Sequence, residues 1–278
     1  MAEAQRIKAN GIEFRVLIEG PEGAPWITFL HSLATNLSLW DEQAAAFRDR
    51  FRILRYDARG HGQTQVPTGP YTMDDFVADA VALWDALGIQ RSHVVGLSMG
   101  GMTGFGLALT HRDRVDSLVA ADCRSDAPEF FQRMWDERER LVAQGGLPAI
   151  EDMTLKTWFT ETTRSRRPEL VERVRRMIAT TPLEGYRGTA AALRGLSYKS
   201  RLSEIAVPAL LIVGAHDGPH PAEMRAMAGL IRGAGFIEVP DAAHLSNIEQ
   251  PELFNSAVTA FLAKLGRGGN ASEQRSSK

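Results

Sequence analysis

The sequence predicts an α/β domain with a mostly parallel central sheet flanked by helices and broken by one helical insertion. Three observations carry this expectation. Short runs rich in β-branched and aromatic residues alternate with longer amphipathic ones, the pattern of strand–helix–strand units. The alternation stops between about residues 127 and 202, where breakers and charged helical segments replace strands. The chain has 278 residues, 44% of them hydrophobic and 24% charged, enough for one large domain with a sizeable insertion.

Taken in order, Phe14–Ile18, Trp26–Leu30 and Phe51–Tyr56 read as strands. Between the last two, Leu37–Arg50 places Trp40, Ala44 and Phe47 on one helical face. Met73–Leu87 repeats the pattern with Phe76, Val77, Ala80, Leu83, Trp84 and Leu87, with Thr72 and Asp74 at its start and Gly88 as a stop. Val94–Val95 runs into Gly96 and then into a helix over Met99–Leu109. Leu118–Ala121, Leu210–Val213 and Phe236–Val239 are the remaining strands, and Leu253–Leu265 is a final helix opened by Pro251 and closed by Gly266. The predicted division is a core of residues 1–126 and 203–266, a helical cap over 127–202 and a disordered tail over 267–278, rich in Gly and Ser.

Composition narrows the function classes. A net charge of −2 lacks the basic excess that meets phosphates, so no nucleic-acid partner is expected. The single cysteine, Cys123, forms no internal disulfide and reads as a small buried residue. Residues Met1–Arg6 hold no apolar core of a leader, and no run of about 18 apolar residues occurs, so a soluble cytoplasmic protein is expected, without membrane contact and with homo-oligomerisation left open. No H-x-x-H or H-E-x-x-H spacing and no phosphate-binding glycine loop at a strand end is present, so neither a metal nor a cofactor is expected.

Gly96-Leu97-Ser98-Met99-Gly100 matches G-x-S-x-G. Alone it reads equally as a glycine-rich turn; between a strand and a helix it reads as a sharp turn that presents Ser98 at the sheet's carboxyl edge. A serine hydroxyl needs a base, and the base an orienting acid. Asp217 lies just past the strand Leu210–Val213, and His244 lies in the loop before the last helix, so serine, acid and histidine follow in the order such a turn requires. Asp122, also at a strand end, is the rival acid. Two N–H donors are expected for a developing oxyanion: that of Met99 at the helix start and that of Leu33 in the loop after Trp26–Leu30. His31 is expected to shape that loop by side-chain hydrogen bonding, His61 to be structural, and His216 and His220 to line the site or face solvent.

These blocks resemble the α/β-hydrolase fold family and, within it, the 3-oxoadipate enol-lactonases. The resembling stretches are His31–Trp40 (HSLATNLSLW), Arg52–Gly62 (RILRYDARGHG), Gly69–Thr72 (GPYT), Gly96–Gly101 (GLSMGG), Gly214–Asp217 (GAHD) and Asp241–Pro251 (DAAHLSNIEQP). The resemblance implies a helical cap over the sheet's carboxyl edge and hydrolysis of a small ester or lactone through an acyl-enzyme. An acidic lactone implies a cationic pocket residue; Arg124 and Arg133 are the candidates, each equally placed as a solvated arginine, with Trp135 as a pocket wall or cap packing. The segments Ala121–Asp126 and Gly218–His220 depart from the enol-lactonase pattern. The competing expectation is a broad carboxylesterase or perhydrolase using the same three residues.

Overall fold

The computed structural model describes residues 3–273. Eight strands form one sheet: β1 (Gln5–Ala9), β2 (Ile12–Glu19), β3 (Trp26–Leu30), β4 (Arg52–Tyr56), β5 (Ser92–Leu97), β6 (Val115–Ala121), β7 (Ala209–Gly214) and β8 (Gly235–Val239). Their spatial order is β1-β2-β4-β3-β5-β6-β7-β8. The first two pair antiparallel, and β2 pairs antiparallel with β4; every pairing from β4 to β8 is parallel. β3 to β7 are buried almost throughout, which is why they read as continuous apolar runs, whereas β2 alternates.

All seven expected strands are present, and β1 is an eighth that the sequence reading left out. Its burial pattern is largely exposed, so it carries no apolar signature. Its turn did: Asn10 and Gly11, with φ of +45° and +76°, form the two-residue Asn-Gly hairpin that favours such dihedrals.

The helices of the sheet faces are α1 (Asp41–Phe47), α2 (Met73–Ala86) and α3 (Met99–Thr110). The expected helix over Leu37–Arg50 is shorter, because Asn36 caps a 3₁₀ turn over Leu37–Trp40 before α1 begins. α2 starts in a full capping box between Thr72 and Asp75. Between β6 and β7 lie α4 (Glu129–Gly145), α5 (Pro148–Trp158), α6 (Glu161–Arg166), α7 (Pro168–Ala179) and α8 (Leu183–Arg194). An antiparallel bridge between Asp126 and Ser197 draws the two ends of this insertion together. α9 (His220–Leu230) and α10 (Ser246–Glu249) follow, and α11 runs over Pro251–Glu273. The helix therefore passes Gly266, where a stop was expected, and continues through most of the stretch expected to be a disordered tail. One glycine weakens a helix by about 1 kcal/mol but does not by itself end it. Residues 274–278 of that stretch lie outside the described residues. Among the described residues no helix is long and apolar enough to cross a membrane.

Parallel strands place every loop that follows a strand on one edge. β3, β5, β6, β7 and β8 thus deliver the loops of Leu33, Ser98, Asp122, Asp217 and His244 to the same end of the sheet.

Candidate active site

Ser98 sits between β5 and α3 with φ +54° and ψ −116°, a left-handed conformation that costs a non-glycine residue energy. The turn is held by Ser98 N–H donating to Ala121 O of β6 at 2.8 Å. The flanking glycines are demanded by space. A Cβ on Gly96 would lie 2.2 Å from Gly100 O, and one on Gly100 would lie 2.0 Å from Leu30 O in β3. α3 thereby starts directly against the strand ends, with Ser98 at its N-terminus.

The loop after β8 brings His244 to this serine. His244 Nε2 lies 3.0 Å from Ser98 Oγ, and its Nδ1 lies 2.9 Å from Asp217 Oδ2. All three side chains are nearly enclosed. The His244 ring stacks on Trp158 of α5, with centroids 5.9 Å apart and planes 28° apart. Its loop is pinned by the buried Glu249, which accepts from Ala243 N–H at 2.6 Å and from Thr160 Oγ1 at 2.8 Å, joining it to the segment before α6.

Burial alone would raise the Asp217 pKa, but His244 and His220 outweigh it and hold the carboxyl well below the usual range. His220 Nδ1 donates to the Asp217 carbonyl at 3.0 Å and lies 3.4 Å from its Oδ1. For His220, burial acts downward, yet the bonds and charge of Asp217 leave the net shift upward. Asp217, His220 and His244 are close enough together to hold a cation. Here both Nδ1 atoms are directed at Asp217, which leaves that arrangement to hydrogen bonds. His216 is exposed and does not line the cavity over Ser98.

Asp122, the rival acid, faces elsewhere. Its Oδ1 accepts from Gly214 N–H at 2.8 Å and its Oδ2 bonds the Ser246 hydroxyl. It ties the end of β7 to α10, and burial, followed by the charge of Asp217, pushes its carboxyl well up.

A cavity lies over Ser98, bounded below by the sheet-edge loops and above by α4, α5, α7 and α8. Leu33 lines it, and Met99 is the first residue of α3, where a helical N–H has no intrahelical acceptor. Among the described residues neither N–H donates to another protein group.

Of the expected cationic residues, Arg124 lines the cavity but is paired with Glu223 at 2.7 Å and lies over the rings of Phe130 and Phe131. Arg133 is a correction. Its side chain is 68% exposed and pairs with Glu129 at 2.7 Å on the outer face of α4. At 100° per residue it stands opposite Phe131 and Trp135, which face inward. Trp135 lines the cavity and packs in edge-to-face contact with Phe131. Arg138, three residues on and so on the same face, was missed. It donates to Thr154 Oγ1 and, at 3.3 Å, to Tyr186 OH, and among the described residues no carboxylate lies within ion-pair distance of it. The periodicity of α4 was the signal that could have found it.

Residues 25–251 match the alpha/beta hydrolase fold family. The chain is 35% identical over 259 residues to 3-oxoadipate enol-lactonase 2 of Acinetobacter baylyi, covering 93% of this chain and 96% of that one. It is similar to the crystal structure of the enol-lactonase from Burkholderia xenovorans LB400, with TM-score 0.90 and 37% identity over 93% of this chain and 100% of that one. It is also similar to a thermophilic esterase from Thermogutta terrifontis, with TM-score 0.86 and 31% identity over 95% and 99% of the two chains.

Proposed function

The chain belongs to the α/β-hydrolase fold family, and from that premise we propose that this ester or lactone hydrolase opens a small carboxylate-bearing lactone, with 3-oxoadipate enol-lactone as its substrate. One observation carries the chemistry: His244 bridges Ser98 and Asp217 at 3.0 and 2.9 Å. In this reading Ser98 Oγ attacks the lactone carbonyl while His244 Nε2 takes its proton. Asp217 holds the ring by Nδ1 and stabilises the imidazolium. The N–H groups of Leu33 and Met99 receive the oxyanion, each donor of this kind being worth about 10²–10³ in turnover. Collapse breaks the ring C–O bond, and His244 returns its proton to the leaving oxygen. Water, deprotonated by His244, then cleaves the acyl-enzyme. The released enol passes to its ketone, which makes ring opening strongly downhill.

The substrate assignment draws on the Acinetobacter and Burkholderia relatives and on Arg138. In a cavity whose lining includes Leu33, Met102, Phe131, Ile150 and Ile178, this guanidinium, which has no carboxylate within ion-pair distance among the described residues, fits a substrate carboxylate. In the same reading residues 127–202 act as the cap, since α4 and α5 supply the carboxylate-binding and histidine-stacking walls.

The test is turnover of 3-oxoadipate enol-lactone by the purified protein, followed by loss of ultraviolet absorbance. A kcat/KM of about 10⁴ M⁻¹s⁻¹ or above is expected. The second reading, a broad carboxylesterase, is favoured by the apolar lining. Turnover of neutral aryl esters with none of the enol-lactone would select it.

A further inference from the structure

We propose that Thr35 is a positioning residue, which together with His31 clamps the Ser32 carbonyl and so aims the Leu33 N–H into the cavity. The inference rests on reading that N–H as an oxyanion donor.

A peptide unit is planar and trans, so the Ser32 C=O and the Leu33 N–H point in opposite directions and turn together. Whatever fixes the carbonyl fixes the donor. Ser32 O accepts from Thr35 Oγ1 at 2.8 Å, from His31 Nδ1 at 2.7 Å and from Thr35 N–H at 3.3 Å. A carbonyl oxygen has two lone pairs, and the two short side-chain bonds fill them.

The histidine half of the clamp is set from both ends. Ala58 N–H is only a donor, and it lies 2.8 Å from His31 Nε2, so Nε2 carries no proton. Ser32 O is only an acceptor, so Nδ1 carries the proton. Burial favours this neutral ring, lowering its pKa to about 4. Thr35 Oγ1 also touches His31 Nδ1 at 3.2 Å, so the two donors brace one another.

The loop needs such a brace. Ala34, between the Leu33 donor and Thr35, has φ +54°, a left-handed conformation unfavourable for a non-glycine residue. The turn from Ser32 to Thr35 closes over that residue through the same carbonyl. Thr35 is fully enclosed, and among the described residues its hydroxyl hydrogen-bonds only to this carbonyl and to His31. Without the hydroxyl, one lone pair loses its short bond, and the Ser32–Leu33 peptide gains rotational freedom that the reaction must remove.

The experiment compares wild type with Thr35→Val, Thr35→Ala and Thr35→Ser, using p-nitrophenyl acetate turnover and the affinity of phenylboronic acid, which forms a tetrahedral adduct on the nucleophile. Val and Ala both remove the hydroxyl at different sizes, so a folding defect in one leaves the other to decide. The expected result is a kcat about tenfold lower with KM within about twofold. Boronate affinity should fall by the same factor as kcat, and Ser should restore both. This is less than the loss of a whole donor, since His31 and the Thr35 N–H remain. A folded Val or Ala variant with wild-type kcat and boronate affinity would overturn the clamp, as would a Ser variant as impaired as Val. A wild type that neither turns over the ester nor is labelled by a fluorophosphonate would instead overturn the hydrolase reading.

Discussion

Asp122 and Asp217 carry the same carboxyl group at neighbouring strand ends, yet their surroundings drive them apart. Asp217 meets two imidazoles, whose bonds and charge outweigh burial and keep it ionised. Asp122 meets a backbone N–H and a hydroxyl, and burial beside a charged neighbour pushes it up. A carboxylate that must stabilise an imidazolium has to be the ionised one. Asp217→Asn is therefore expected to lower kcat on a chromogenic ester by about 10³–10⁴, with Asp122→Asn close to wild type. The reverse order would move the acid to β6. The arginines separate in the same way. Arg138→Leu removes charge-assisted bonds to a substrate carboxylate, worth about 1.5–3 kcal/mol, and should raise KM for the enol-lactone about 10- to 100-fold. KM for a neutral ester should stay within about twofold, and Arg133→Leu should change neither. Equal effects of Arg138→Leu on both substrates would remove its role in binding the carboxylate. The placement of Ser98, Asp217 and His244 at one edge of the sheet was legible because strand ends and chain order constrain it. Arg133 was expected from its nearness to the cap entrance, which does not say which side of a helix a residue faces, whereas Arg124 reaches the cavity from the loop after β6.

The turn from β5 into α3 shows what an element requires of its residues. Its glycines permit backbone contact between α3 and β3, and the serine accepts a left-handed conformation that sets its hydroxyl at the sheet edge against His244. Gly100→Ala would place a methyl 2.0 Å from the Leu30 carbonyl oxygen, which no side-chain rotation relieves. The expected destabilisation is about 3 kcal/mol, at the upper end for overpacking, read from urea denaturation midpoints. An unchanged midpoint would mean that α3 slides away from β3 without penalty. Elements whose pattern is local were readable in advance: buried parallel strands as apolar runs, α2 by its cap and period. β1 was not, because an exposed edge strand keeps no apolar face. The end of α11 was not, because a glycine ends a helix only where the chain also has reason to turn.

At the scale of the whole molecule, the sheet edge is backed by two enclosed histidines that stay neutral. Burial lowers the pKa of His31 to about 4 and, with His31 beside it, that of His61 to about 3. The unfolded chain takes up these protons near pH 6.5, while the folded chain does not until much lower. Stability should therefore be full above about pH 6.5 and fall on acidification toward pH 4, by roughly 2–3 kcal/mol per pH unit for the two together. His220, shifted upward by Asp217, works the other way: its contribution is present below its unfolded pKa and lost as pH rises through the folded one. Urea denaturation at pH 7 and pH 5 measures the balance, with a net loss of stability expected at pH 5; a protein more stable at pH 5 would mean that the upward-shifted His220 and Asp122 outweigh these rings. The sequence by itself determined the α/β class, the central strands and the placement of Ser98 and His244 just past strand ends, because periodicity, turn chemistry and chain order are local properties. Only the tertiary structure decided which carboxylate reaches the histidine, which arginine enters the cavity and which carbonyl the Thr35 hydroxyl holds. Those choices depend on directions of side chains and peptide planes, and directions are set by packing between segments far apart in the chain.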